Sequence, residues 1–190
     1  SSLYKPNEDL IKLYNNLNIA YLKKTSEIDT ISLDEFIRNN DFGEIDFLKI
    51  DIQGAELDVF KGSIKTLKNI LMVVTEVEFI EQYLDQPLFG DVNSFLKKQD
   101  FMLHKFLGFG RRALKPMILN KNKNFGTQDL WSDAVFIRNI LNVSKLNNVD
   151  LIKSAVLSFI YNSLDLTYFY LNKYDEKNNS FIGRSFEKIF

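Results

Sequence analysis

The sequence predicts an α/β fold whose sheet is at least partly parallel, and three stretches carry that prediction. In Phe47-Leu48-Lys49-Ile50-Asp51 an apolar run ends on an acid. Ile52-Gln53-Gly54 then forms a glycine turn. From Ala55 to Lys68, Leu57, Phe60, Ile64 and Leu67 recur at helical spacing, so one helical face is buried. Leu71-Met72-Val73-Val74 opens a second strand, Leu71 to Phe79, as a continuous apolar run. That is the pattern of a strand buried on both faces, as in a parallel sheet. Strand, helix, strand over about 35 residues is a βαβ unit, for which a right-handed crossover is expected.

The other elements follow from the same rules. Residues 1–29 are polar and weakly patterned, with Asn18 to Leu22 reading as a short strand. Ser32 is an N-cap candidate, and Glu35 three residues later completes the signature of a capping box. Leu33, Phe36 and Ile37 then share a helical face. The first strand of the βαβ unit spans Ile45 to Ile50. Tyr83 to Phe89, with Pro87, reads as a loop, and a helix follows in which Val92, Phe95 and Leu96 share a face. Phe101 to Phe106 alternates and predicts a strand. Residues 107–130 concentrate Gly, Asn and Lys and predict a long loop or lid. Ala134 to Ile137 predicts a last strand, antiparallel to its predecessor at the sheet edge. From Asp150 the spacing of Ile152, Ala155, Val156, Phe159, Ile160, Leu164, Tyr168 and Leu171 predicts one long amphipathic helix, capped by Asn148 or Asp150. Such a helix packs back on its own domain or binds a partner. The chain ends on a polar stretch carrying Phe181, Phe186 and Phe190. Residues 1–142 thus read as one domain and 143–190 as a helical C-terminal extension.

Composition narrows the function. The chain has 190 residues, 45% of them hydrophobic and 26% charged, which is ordinary for a soluble globular protein. A net charge of −1 argues against nucleic acid as a partner. The local cluster Arg111, Arg112 and Lys115 reads as a solvated loop. The chain has no cysteine, which excludes disulfides, thiolate metal sites and a cysteine nucleophile. That fits a reducing, cytoplasmic setting. No apolar run approaches the length of a membrane span.

Asp51 is the sharpest candidate for chemistry. A carboxylate at the carboxyl end of a strand sits where open α/β sheets bind ligands, or it caps the helix that follows. Gln53 adds a donor and an acceptor at the same turn. Glu56, in the first helical turn, reads as a complement to the helix dipole. Glu76 and Glu78 end the second strand on one face, and near Asp51 such a pair is suited to a proton, a hydroxyl substrate or a metal, or is merely a solvated strand end. Two acids and a distant His104 are too few for a metal site, so none is expected. His104, in an alternating strand, reads as structural, and Trp131 with Asp133 as packing plus a turn. Asp51-Ile52-Gln53-Gly54 matches a GTPase-like DxxG, but no phosphate-cradling GxxxxGK[ST] exists, and there is no GxSxG elbow.

Several linked blocks resemble the FkbM family of S-adenosylmethionine-dependent methyltransferases. They are Thr30 to Ile37, Leu48 to Gly62, Val73 to Val77, Gln86 to Leu96, Phe101 to Phe106 and Trp131 to Arg138. The resemblance covers about residues 1–140 and implies the class I methyltransferase (Rossmann-like) three-layer sheet. The strand ending at Asp51 would be its fourth and the one ending near Glu76 its fifth. It implies S-adenosyl-L-methionine as cofactor, Asp51 and Gln53 beside it, and Asp51 and Glu76 in catalysis. The reaction would be O-methylation of a hydroxyl on a sugar, polyketide or related small molecule or glycan. Members often carry Glu where this chain has Gln53, which argues against a base there. The family's glycine-rich loop and ribose-binding acid have no counterpart before Asp51, and the first glycine is Gly43. The amino-terminal strands are therefore expected to be missing. This chain alone is then expected to bind the cofactor weakly and to be inactive, and an unpaired sheet edge would favour self-association. The competing class is a non-catalytic methyltransferase-like scaffold without a cofactor site.

Overall fold

The computed structural model describes residues 2–189, and Phe190 lies outside them. The elements run α1 (Glu8–Ile11), α2 (Leu33–Asn39), β1 (Phe47–Ile50), α3 (Glu56–Lys61), β2 (Met72–Glu78), α4 (Phe89–Lys98), β3 (Phe101–Phe106), β4 (Gly110–Arg111), β5 (Asp129–Arg138), α5 (Asn148–Ile160), α6 (Leu164–Asn178) and α7 (Ile182–Glu187).

The sheet is mixed, in the order β1-β2-β5-β3, with β4 paired to β5. β1 and β2 are parallel, Phe47 opposite Met72 through Ile50 opposite Thr75. This is the βαβ unit that the apolar runs predicted. β5 runs antiparallel to both β2 and β3. The two late strands therefore do pair, but β5 is interior and β3 holds the edge. β5 is also longer than Ala134–Ile137, because Leu130 and Ser132 alternate into the interior ahead of it.

Successive β2 residues show why its run is unbroken. Val73 packs with Phe60, Leu67, Leu96 and Phe136 on one face. Val74 packs with Val135, Leu151, Ala155 and Tyr170 on the other. Helices thus cover both faces, and α5 and α6 form the second cover. Lys153 joins this cover to the chain before β1 through Asp46, at 2.8 Å.

Three local predictions change. Asn18–Ala20 is a 3-10 turn rather than a strand, its neighbour Leu17 anchoring a small core with Ile11, Tyr14 and Leu130. The helix from Ala55 stops at Lys61, and Thr66–Lys68 is a separate 3-10 turn. The break is built by α2. Ser32 accepts from the Glu35 N–H as its N-cap and packs against Gly62, where an added Cβ would lie 3.1 Å from the Ser32 Cβ. The Asp34 carboxylate then takes the Lys65 and Thr66 N–H groups at 2.9 and 2.8 Å. Ile64, left off the helix, is exposed.

The long C-terminal helix is two helices joined by Tyr161-Asn162-Ser163, and its N-cap is Asn147, which accepts from the Asp150 N–H at 2.9 Å. Asn162 takes a left-handed conformation, φ 52°, which Asn tolerates. The turn is held from the sheet. A bulge at His104 lets it and Lys105 both reach the turn, the register shifting between Leu103 and Lys105. His104 Nε2 lies 2.8 Å from Ser163 Oγ, and Lys105 donates to the Tyr161 and Asn162 carbonyls. Burial holds His104 below the ordinary histidine pKa, favouring the neutral ring.

Candidate functional site

The site forms where β1 and β2 end side by side. Asp51 is the first residue past β1 and is exposed. The chain then turns sharply, with Gln53 at φ 59° and Gly54 at φ 100°. Gly54 needs that backbone freedom rather than the space, since a Cβ there would meet Tyr83 and Gln86 only at the ordinary contact distances of 3.4 and 3.5 Å.

Glu56 fixes this turn. It is 2% exposed, and its two carboxylate oxygens accept from the Ile52 and Gly54 N–H groups, each at 2.9 Å. Desolvation raises its pKa while those amides pull it down. Its role is therefore more specific than a dipole complement: it reaches back from the helix and staples the loop that carries Asp51 and Gln53.

The left-handed backbone at Gln53 sends its side chain toward β2. Its Nε2 donates to Glu76 Oε2 at 2.6 Å and to Asp51 Oδ1 at 3.2 Å. Its Oε1 accepts from the Tyr83 hydroxyl at 3.3 Å. Gln53 thus ties together the two acids singled out in the sequence, and Tyr83 sets which end of the amide faces them. Tyr83 was not legible as part of the site, because it reaches Gln53 from a loop thirty residues away.

Glu76 is half-buried and its pKa is pushed up to about 8, first by burial and then by Asp51, Glu56 and Asp133. Glu78 is also pushed up to about 8, by burial and then by Glu56 and Glu76. Strand alternation does place both on one face: both line a cavity of about 330 Å³ with Gln53, Tyr83, Arg112 and Trp131. Across the sheet Glu76 stands opposite Asp133 and Glu78 opposite Trp131, so Trp131 and Asp133 lie within β5 rather than in a turn before it. A second opening, of about 390 Å³, lies between Asp51, Glu76, Gly108 and Asp133 and shares Trp131. Lys49 pairs with Asp133 at 3.6 Å. Arg112, read from sequence as a solvated loop residue, is half-buried with its guanidinium 4.8 Å over the Trp131 ring.

Oxygens of Asp51, Glu56 and Glu76 come within 4.8 Å of one another. Such a set suits a hard cation, but Glu56 already spends both oxygens on backbone amides, which leaves two acids free. His104 is engaged at the α5–α6 turn instead.

Residues 11–103 match the family model of the methyltransferase FkbM domain. No curated protein and no solved structure matches the chain. The matched stretch includes β1, the stapled turn, β2 and Tyr83, so the strand-end carboxylates lie inside it. Over residues 11–103 the chain is similar to the methyltransferase FkbM domain, and its candidate site lies within that stretch.

Proposed function

We propose that the chain works in S-adenosylmethionine-dependent methylation of a hydroxyl on a sugar, polyketide or related small molecule. The observation that carries this reading is the hydrogen-bonded set Asp51, Gln53, Glu76 and Tyr83 at the ends of two parallel strands, beside a cavity with an aromatic wall. Parallel strand ends are where α/β sheets bind ligands.

The acids suit the cationic end of the cofactor, with Asp51 and Gln53 its nearest holders. Bound there, it would supply an electrophilic methyl group. No glycine-rich turn follows a strand before β1 among the described residues, so the adenosine end finds no cradle in them. Binding to this chain alone is therefore expected to be weak. Glu76 is the base. A pKa near the working pH lets it take up the hydroxyl proton and give it back. Gln53, oriented by Tyr83, fixes the carboxyl in place, and positioning supplies much of the rate in a displacement of this kind. β1, paired only with β2 in the sheet, offers its other edge for self-association.

Incubating the intact protein with methyl-labelled S-adenosylmethionine and a panel of polyols and glycosides tests the reading. Label should appear in base-stable ether linkages. Label confined to amines or carboxylates, or no transfer with any hydroxyl acceptor, would favour the scaffold reading instead.

A further inference from the structure

The cavity beside Glu76 holds acidic and basic groups that have few partners among the described residues. Glu78 is 3% exposed and lines the cavity. Its carboxyl accepts no hydrogen bond from another described residue, its own amide being its one hydrogen-bonding partner. No cation among the described residues pairs with Glu76 or Glu78. Arg112, on the same wall, rests on Trp131 and donates its Nη1 to the Arg111 carbonyl. Its Nε–H is buried without an acceptor. One cavity therefore presents an unanswered buried acid and an unanswered buried donor beside an aromatic ring. Buried groups of these kinds are normally satisfied, and a buried carboxylate is normally paired.

We infer that this cavity takes an aminated polyol, whose ammonium group sits on Glu78 while a hydroxyl oxygen accepts from the Arg112 guanidinium on the same wall. This deepens the proposed function and rests on it: the methyl acceptor is an amino sugar or a related amino alcohol, with its reacting hydroxyl turned toward Glu76. Arg112 is the one cation among the described residues lining the cavity; the charges acting on Glu78 are all acids, Asp51 and Glu56 from the β1–α3 turn and Glu76 from the same strand. A cationic occupant is drawn by all of them, and a neutral polyol gains nothing from them. Burial and the neighbouring acids raise the proton affinity of both glutamates.

The chain has one tryptophan, so fluorescence of Trp131 reports occupancy. Glucamine differs from glucitol in bearing an ammonium group in place of one hydroxyl. Near pH 7 glucamine should half-saturate the Trp131 signal at a concentration tenfold or more below glucitol, in line with the loss seen when a desolvated charge pair is broken. In Glu78→Gln the two should become nearly equal. Equal binding by the unaltered protein, a preference that survives Glu78→Gln, or no saturable glucamine signal would each overturn the inference. So would loss of the glucamine signal after pre-loading with S-adenosylhomocysteine, because Glu78 would then serve the cofactor's own ammonium. Should Glu78→Gln not fold, proton release decides. Glucamine binding by the unaltered protein should release protons in buffers of differing ionisation enthalpy, and uptake or no change would refute the pairing. Glucamine binding without methyl transfer would sink the proposed function alone. Methyl transfer to neutral polyols without an ammonium preference would sink this inference alone.

Discussion

Glu78→Gln separates the cost of burying an acid from every other property of the strand end. Burial and three neighbouring carboxyls, Glu56, Glu76 and Asp51, lift Glu78 from its ordinary 4.5 to about 8. In that window the folded protein keeps a proton that the unfolded chain has released. Folding stability therefore falls as pH rises from about 4.5 to about 8 and levels off above. At about 1.4 kcal/mol per pKa unit the ceiling is on the order of 5 kcal/mol. Water in the cavity and the shared titration with Glu76 reduce this to about 2 kcal/mol. Glutamine keeps the shape and cannot ionise. Urea unfolding at about pH 5 and about pH 9 should show the unaltered protein losing about 2 kcal/mol more than Glu78→Gln between the two conditions. The variant should be the more stable at the alkaline end. Parallel curves for the two proteins would refute the reasoning, because Glu78 would then ionise without penalty.

Other substitutions probe other links of the account. Asp51→Asn should cut methyl transfer by the intact protein by roughly 10²-fold, as for a misplaced reacting group, and leave the melting point nearly unchanged. A lowered melting point with full turnover would make Asp51 a helix cap. Phe60 is 0% exposed in the core between β2 and the helices, so Phe60→Ala should cost about 3–5 kcal/mol in chemical denaturation. Ser32→Ala, which leaves the Glu35 N–H without its cap, should cost about 1 kcal/mol, and an unchanged unfolding midpoint would contradict that role.

Much of the fold could be read from local pattern, and the misses share a cause. The βαβ unit was legible because Leu71 to Val74 and the turn at Gly54 are consecutive signals, and Asp51 and Glu76 followed from strand ends alone. The break at Gly62 was not, because it comes from Ser32 and Asp34, thirty residues earlier. The α5–α6 turn was hidden for the same reason. Its apolar spacing runs on through Leu164, and the groups that hold Asn162 come from the bulge at His104 and Lys105. In the site, the sequence marked Gln53 but not its bridging role, which needs φ 59° at that residue. Glu78 was marked beside Glu76 by strand alternation, but Arg112 looks like an ordinary surface charge until its guanidinium is found over the Trp131 ring.

The pH dependence of methyl transfer tests the central claim most directly. Glu76 is held at about 8 by burial and by Asp51, Glu56 and Asp133, so as the base it gains activity when it ionises. In the intact protein, kcat/KM for a hydroxyl acceptor should rise with pH through an apparent pKa near 8, read as a value of the coupled Glu76–Glu78 pair. Glu76→Gln should remove both the rise and most of the rate. A profile flat from about pH 6 to about pH 9, or a rise that persists in Glu76→Gln, would contradict the assignment of Glu76 and with it the reading of these strand ends as a methyl-transfer site.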